Sequence, residues 1–307
     1  MTKSDNKQNR FPLVSVVIPL YNHEKFIIDA LESVLGEDYP NMEIVIINDG
    51  STDRSDEVVK SWLKEKKIKK KHIKYFSREN RGLSATLNEL INRAEGEYIA
   101  VLASDDMLVK GGIKARVDYL MSNPDKLAVF GDCEVIDISG RKIFESGLTE
   151  LYSANKKRLA SDSGIKYEFI CNWSVPGPVL MFRKSTVDIV GGYDETLKVE
   201  DWDFYLRLAA RGAIGFVDQK VAKYRLHGNN LKDQIPHVWK EFLKILIKNF
   251  SEFSLPYRLL IICKIIDILR FGLIFEIKKL LGIDFRLKDL LRVSHENSHT
   301  WNERNSQ

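Results

Sequence analysis

The chain has 307 residues, of which 44% are hydrophobic and 29% are charged, and its formal net charge is +4. This balance is ordinary for a globular protein with a buried core, and it excludes a disordered or collagen-like chain. The mild basic excess does not by itself indicate nucleic acid as a partner, because Lys and Arg would have to concentrate on one face. We predict that the protein does not bind nucleic acid.

The cysteines and the first residues indicate the compartment. Cys133, Cys171 and Cys263 are far apart and fit no metal-ligand spacing, so neither a disulfide framework nor a zinc site is expected. Residues 1–10 are polar and contain no apolar stretch, so we predict a disordered tail and no secretory signal. A cytoplasmic location is the expectation.

Short apolar runs alternate with helical periods in residues 11–107. Nearly continuous apolar runs are typical of parallel strands that helices cover on both faces. Such sheets bind ligands at the carboxyl ends of their strands, so the loops that follow the strands should carry the chemistry. The predicted strands lie at 13–18, 44–47, 73–76 and 98–102, and the helical stripes at 26–34, 58–63 and 83–94.

The pattern is mixed after residue 108 and becomes apolar and basic towards the end. A polar tail at 295–307 is predicted to be disordered. The other predicted elements are helices at 110–122 and 201–210, strands at 127–138, 214–217 and 221–226, and helices within 236–293.

Two adjacent carboxylates, Asp105 and Asp106, follow the fourth apolar run. A bound cation would remove their mutual repulsion, and hard oxygen ligands favour Mg²⁺ or Mn²⁺ shared with substrate phosphates. The alternative is a solvated turn that caps the next helix. As a loop residue, Asp106 is expected at the surface, where it contributes little to packing.

A second polar loop contains Asp49, after the run at 44–47. Tyr21 ends the neighbouring loop, and Arg81 precedes the third helical stripe. Stacking by Tyr21 and acceptance of an imide N–H by Asp49 would suit uracil or thymine, and Arg81 can donate to phosphate or base oxygens. The alternative is a structural turn with Ser55 as a helix cap.

These loops and their flanking strands together resemble the family 2 glycosyltransferases, whose nucleotide-binding half has the GT-A fold. The matching segments are 14–22 (VSVVIPLYN), 46–53 (IINDGSTD), 80–84 (NRGLS) and 95–99 (EGEYI). The resemblance implies an α/β fold with a GT-A type, Rossmann-like mixed and mainly parallel sheet flanked by helices. The implied units are a transferase domain at 11–230, with a nucleotide-binding half (11–107) and an acceptor half (108–230), and a helical C-terminal extension at 231–294.

The resemblance also implies roles for single residues. Asp105 would serve the ribose or the metal shell, and Asp106 would bind the metal directly. Ala103 stands where many members have an Asp, so the metal role depends on Asp105 and Asp106. The residues that would hold the nucleotide are Pro19, Tyr21, Asn22, Asp49, Gly50, Arg81 and Asp105.

Acceptor-side motifs lie at 191–195 and 200–203. An inverting transfer needs a carboxylate that takes the proton of the acceptor hydroxyl. By resemblance this base is Asp201, with Glu200 as the second candidate, although the same acids also suit the first turn of a helix. His227 falls where many relatives have Tyr-Arg-x-His, and it would complete the metal or diphosphate site or else be structural.

The sequence therefore predicts an inverting, metal-dependent hexosyltransferase that uses Mn²⁺ or Mg²⁺. The expected donor is a nucleotide-diphosphate sugar, UDP-linked, and the expected acceptor is a glycan or lipid-linked glycan in cell-surface polysaccharide synthesis. A sugar-phosphate nucleotidyltransferase is an alternative, but the chain lacks a Gly-rich phosphate loop after the first strand. An inactive binding module is another, against which the retention of Asp49, Asp105, Asp106 and Asp201 weighs.

Residues 236–293 contain eleven Lys and Arg against six Asp and Glu, a local excess of five positive charges. Lys264, Asp267 and Arg270 interrupt the apolar run, so it is not expected to span a membrane. We predict one polar stripe on an otherwise apolar helix that lies on an anionic membrane, at the cytoplasmic face of the inner membrane. The alternatives are a cap packed on the catalytic domain and a homodimer contact.

Overall fold

The computed structural model describes residues 11–66, 72–172, 175, 177–227 and 235–280. The tails predicted at 1–10 and 295–307, and residues 231–234 and 281–294 of the predicted extension, lie outside these ranges. Within them, nine strands form one sheet in the order β3-β2-β1-β4-β8-β6-β9-β5, with β7 paired to β6.

The strands are β1 (Val14–Leu20), β2 (Met42–Asp49), β3 (Ile73–Arg78), β4 (Tyr98–Val101), β5 (Met107–Leu108), β6 (Ala128–Ile136), β7 (Lys142–Phe144), β8 (Leu180–Arg183) and β9 (Ile214–Arg225). The helices are α1 (Ile27–Leu35), α2 (Ser55–Lys66), α3 (Leu83–Arg93), α4 (Gly112–Ser122), α5 (Lys156–Leu159), α6 (Asp162–Cys171), α7 (Thr186–Val190), α8 (Glu200–Ala210), α9 (Ile235–Asn249) and α10 (Leu255–Leu280).

Strand direction brings the loops of interest to one edge of the sheet. Strands β1 to β4 are parallel to one another, and β8 enters antiparallel between β4 and β6. Since β9 is parallel to β6, the carboxyl ends of β1 to β4, β6 and β9 all lie at the same edge. Most registered residue pairs are parallel, so the predicted α/β fold with a mixed, mainly parallel sheet is confirmed.

Helices cover both faces of the sheet because side chains alternate along each strand. In β1, Val16 and Ile18 are buried in a core with α1, α2 and α4. Val17 points to the opposite face and is buried in a core with α3, α6, α8, α9 and α10. Each such side chain stabilises the fold by roughly 1.5–3 kcal/mol when it is removed from water.

The sequence predicted two strands, at 214–217 and 221–226, where the structure has the single strand β9. It is one continuous strand, Ile214–Arg225, and its register against β6 shifts between Phe130 and Asp132 and again at Cys133. The polar residues between the two apolar runs lie at this irregularity. A bulge of this kind keeps a strand continuous while it interrupts the apolar alternation that sequence reading depends on.

One face of the C-terminal helices packs against the catalytic domain. Leu246 of α9 and Ile261 and Ile268 of α10 are buried in the same core as α6 and α8. The inward face of these helices therefore packs as a cap on the catalytic domain, as one of the alternatives for this segment stated. None of the helices in the described ranges combines the length and the apolarity that crossing a bilayer requires.

The predicted single polar stripe on α10 is wrong. Asp267 and Arg270 are exposed, but the Lys264 side chain points inward, where its ammonium donates to the carbonyl oxygen of Cys171. Cys171 ends α6, and a cation there meets the unpaired carbonyls and negative dipole of that helix end. Residues at three-residue spacing drift by about 60° per step around a helix. Lys264, Asp267 and Arg270 therefore do not share one face.

Candidate functional site

The acidic pair lies in the loop between β4 and β5, but it is not on the surface. Asp105 is 8% exposed and Asp106 is 1% exposed, so the expectation that Asp106 is a surface carboxylate is wrong. The backbone N–H of Arg225 at the end of β9 donates to Asp106 Oδ1 at 2.8 Å. The adjacent strand end therefore covers this loop and fixes one oxygen of Asp106.

Asp105 lies between two imidazoles. His227 Nε2 is 2.8 Å from Asp105 Oδ2, and His23 Nδ1 is 3.7 Å from Asp105 Oδ1. One ligand atom from each of His23, Asp105 and His227 lies within 4.8 Å of the other two, a spacing that a single cation can bridge. His23 was not among the predicted ligands, and Asp106 lies outside this group of three.

The protonation of these groups follows from burial and from their neighbours. Burial opposes ionisation of Asp105, but the hydrogen bond with His227 and the nearby His23 outweigh it and lower the pKa of Asp105. Burial and the charge of Asp105 raise the pKa of Asp106 well above its usual range. Burial lowers the pKa of His23, whereas the contact with Asp105 raises the pKa of His227.

Arg225 connects the loops that surround this cluster. It is 1% exposed, its Nε donates to the Asp105 carbonyl at 2.8 Å, and its guanidinium also donates to Asp29 of α1 at 2.9 Å. The Phe26 ring stacks on His227 with centroids 5.6 Å apart and lies 5.0 Å from the guanidinium of Arg225. The position of His227 is thereby fixed from two sides.

Replacing Arg225 with Met is expected to lower the free energy of unfolding by about 2–4 kcal/mol, because buried acceptors lose a charged donor. The buried acceptor is the Asp105 carbonyl, and the part-buried carbonyl of Ile138, in the loop after β6 and 3.2 Å from the guanidinium, loses the same donor. Urea unfolding followed by circular dichroism measures this change. Arg141→Met, at a side chain that is 83% exposed, is the control and should change stability by less than about 0.5 kcal/mol.

Asp49 organises the loop that begins α3. Its Oδ1 accepts the N–H of Arg81 at 2.8 Å, its Oδ2 accepts the N–H of Gly82 at 3.0 Å, and the Arg78 guanidinium donates to Oδ1. Arg78 was not predicted, although it ends β3 at the same sheet edge. It also donates to Thr86 at 2.9 Å and to Glu89 at 2.8 Å, so it links Asp49 to α3.

Two backbone positions shape the nucleotide-side loops. Asn22 has φ +53°, and its Oδ1 accepts the N–H of Thr52 at 2.7 Å, which joins the loop after β1 to the loop after β2. Gly50 has φ +68°, and a Cβ there would lie 2.6 Å from the nitrogen of Asn80. A side chain at residue 50 would therefore push the Arg81 loop away from Asp49.

The remaining predicted nucleotide residues are placed differently from one another. Pro19 is within β1 and pairs with Ile47 of β2, so it fixes the strand end. Tyr21 is 47% exposed and the Arg81 side chain is 59% exposed, so both are accessible to a ligand. Tyr21 follows β1, Asp49 ends β2 and Asp105 lies in the loop after β4, and these three strands are neighbours at one sheet edge.

The predicted base candidates are the first two residues of α8. Glu200 is 7% exposed, and Asp201 Oδ1 accepts the N–H of Trp202 at 2.7 Å. Burial raises the pKa of Asp201 to about 6. Burial and the charge of Asp201 raise the pKa of Glu200 to about 8. Near neutral pH, Asp201 is therefore ionised and Glu200 carries its proton.

Tyr152 connects the acceptor side to the acidic loop. Burial raises the pKa of its phenol, and the charges of both Asp201 and Asp106 raise it further. The phenol is hydrogen-bonded to Tyr224, which precedes Arg225 in β9. Asp201 on the acceptor side and Asp106 of the acidic pair therefore both act on the phenol of the half-buried Tyr152.

Comparison with known proteins identifies relatives of this arrangement. Residues 15–172 match the profile of the family described as Glycosyl transferase family 2. An uncharacterized glycosyltransferase of Rickettsia typhi is 29% identical over 253 residues, which are 79% of this chain and 75% of the relative.

Two solved structures share the fold. S. aureus TarS (residues 1–349) in complex with UDP-GlcNAc has a TM-score of 0.62 at 20% identity, over 83% of this chain and 72% of that protein. The mannosyltransferase PcManGT from Pyrobaculum calidifontis, in complex with GDP-Man and Mn²⁺, has a TM-score of 0.65 at 16% identity, over 95% and 84%. The fold is the GT-A type that the sequence predicted.

Proposed function

Because this chain belongs to glycosyl transferase family 2, we propose that it is an inverting, metal-dependent transferase that moves a hexose from a nucleotide-diphosphate sugar to an acceptor hydroxyl. The single observation that carries the proposal is the cluster of His23, Asp105 and His227, whose ligand atoms lie within 4.8 Å of one another, to which the acceptor side adds the half-buried Asp201. The first group suits a cation that binds a diphosphate, and the second suits removal of a proton.

The donor is proposed to be UDP-linked. Tyr21 is exposed for stacking, Asp49 holds the neighbouring loop through two backbone N–H groups, and the exposed Arg81 side chain can donate to phosphate. The solved relatives were captured with UDP-GlcNAc and with GDP-Man, which supports a nucleotide sugar without separating the two bases.

The donor set fits a divalent cation. Two imidazole nitrogens and a carboxylate oxygen would come from His23, His227 and Asp105, with Asp106 kept as a further predicted ligand. Imidazole ligands favour Mn²⁺ over Mg²⁺, which prefers an all-oxygen shell. When bound, the cation would supply neutralisation of the charge that develops on the leaving diphosphate.

The chain's own groups would perform the rest of the transfer. Asp201 takes the proton of the acceptor hydroxyl while that oxygen attacks the anomeric carbon from the face opposite the diphosphate, so the configuration inverts. The bond to the diphosphate breaks in the same step and the electron pair leaves with it. Asp201 is half-buried, which restricts the access of bulk water and limits competing hydrolysis of the donor.

We expect the pH dependence of turnover to follow Asp201. The active form of a general base is its ionised form, so kcat/KM should fall about tenfold per pH unit below about 6 and be level above it. Initial rates between pH 4.5 and 8.5 with saturating Mn²⁺ measure this profile. A level profile down to pH 5 would contradict the assignment of Asp201.

The experiment that tests the proposed function uses a panel of UDP- and GDP-sugars with and without Mn²⁺. Release of nucleoside diphosphate that requires Mn²⁺ is expected for a transferase. Production of nucleoside triphosphate from a nucleotide sugar and pyrophosphate would indicate a nucleotidyltransferase instead. A thermal shift with donor but no turnover with any acceptor would indicate a binding module.

For the acceptor, we propose a glycan or a lipid-linked glycan that is built into a cell-surface polysaccharide. The acceptor half contributes the buried end of α8 and the tyrosine pair of Tyr152 and Tyr224. Such a wall offers aromatic surface for sugar rings and a single base for one hydroxyl. Product analysis by mass spectrometry with lipid-linked and free oligosaccharides separates these two classes.

A further inference from the structure

The outward face of α10 is an unusual surface. Half of the exposed large hydrophobic side chains in the described ranges lie on this one helix. Their exposed fractions run from 42% to 85%. They are Leu255, Leu259, Ile262, Ile266, Leu269, Leu273, Ile274, Ile277 and Leu280.

These side chains form a continuous face opposite the packed one. At 3.6 residues per turn they span an arc of roughly 140°, over a length of about 39 Å. The packed face contains Ile261, Lys264 and Ile268, which point to the domain. The helix is therefore apolar on both sides, and such helices are covered on both sides in the functional state.

The width of the outward face argues against a second copy of the helix as its cover. A two-helix seam uses a narrow stripe of two positions per heptad. Here Ile274 extends the apolar arc beyond the band that the other eight side chains form, and the exposed Arg270 lies between Ile274 and that band. A long cationic side chain inside an apolar arc is compatible with lipid, because it can extend to the headgroups.

Charge gives the same result. Apart from Lys264, which points to the domain, helix α10 has four basic residues against two acidic ones. Residues 236–293 as a whole have eleven basic residues against six acidic ones. On α9, Lys240 and Lys244 are exposed as well. Two copies joined through this region would bring like net charges together, whereas an anionic bilayer complements them.

We propose that α10 lies flat in the headgroup region of an anionic lipid bilayer, with the face from Leu255 to Leu280 buried in the interface. The inward face stays packed on α6 and α9. This proposal does not depend on the chemistry at the site, and donor turnover without vesicles can be measured separately.

The test is cosedimentation of the full chain with vesicles of phosphatidylcholine alone or with phosphatidylglycerol. We expect binding to the mixed vesicles at low salt, and weaker binding in high salt and to phosphatidylcholine alone. The variant I266E/L269E places two carboxylates on the outward face, and its partition into mixed vesicles should fall about tenfold or more. Its donor turnover without vesicles should equal that of the unmodified protein.

The matched control is Met121→Glu on α4, which is 48% exposed and belongs to another helix layer. It should bind vesicles as the unmodified protein does. Failure of the unmodified protein to bind at low salt, equal binding to both vesicle types, or full binding by I266E/L269E would overturn the proposal. So would a dimer in light scattering that I266E/L269E dissociates while no vesicles are bound, since a second copy would then be the partner.

Discussion

Replacing Asp201 with Asn is expected to reduce transfer by about 10²–10⁴-fold while donor binding is retained. The amide keeps the size of the carboxylate, and its oxygen can still accept the N–H of Trp202, as Asp201 Oδ1 does at 2.7 Å. It cannot accept a proton from the acceptor. Product formation with a saturating acceptor measures the loss, and calorimetric titration with the donor measures retained binding.

Glu200→Gln is the control, because the two residues are adjacent at the start of α8. The pKa of Glu200 is raised to about 8, so near pH 7 this side chain already carries a proton and Gln reproduces its uncharged form. Transfer by this variant should stay within about tenfold of the unmodified rate. If Glu200→Gln were inactive and Asp201→Asn active, the catalytic base would be Glu200 and not Asp201.

The core strands could be predicted from the sequence because each is a local pattern. The runs at 13–18 and 44–47 became Val14–Leu20 and Met42–Asp49, buried on both faces. The short strands β5, β7 and β8 were missed, since segments of two to four residues have no periodicity of their own and pair only where the rest of the sheet receives them. Strand β8 occupies the position between β4 and β6 that joins the two halves.

The site was harder to predict because its residues are distant in sequence. His23 meets Asp105 and His227 only through the order of β1, β4 and β9 in the sheet. A signal for His23 did exist, since it follows Tyr21 and Asn22 in a loop at the carboxyl end of β1. The role of Arg225 was hidden, because nothing local shows that its guanidinium reaches Asp29 in α1.

The assignment of the metal predicts a second large loss. Asp105→Asn and Asp106→Asn are each expected to reduce Mn²⁺-dependent turnover by about 10³-fold, since stabilisation by a metal contributes several kcal/mol to the transition state. Asn is chosen over Ala because Asp106 Oδ1 accepts the N–H of Arg225 at 2.8 Å, and an amide oxygen can keep that bond. A buried donor left without an acceptor would otherwise cost about 1–3 kcal/mol of stability.

A direct measurement of Mn²⁺ binding distinguishes the roles of Asp105 and Asp106 without relying on turnover. Electron paramagnetic resonance of added Mn²⁺ should show weaker binding for Asp105→Asn and for His23→Ala, because both would remove a group from the cluster within 4.8 Å. Asp118→Asn, an exposed carboxylate on α4, is the control and should bind Mn²⁺ normally. If Asp106→Asn, like this control, binds Mn²⁺ with unchanged affinity and keeps its turnover, Asp106 is not a ligand. Its buried carboxylate then serves only to hold the end of β9 against the loop that presents Asp105.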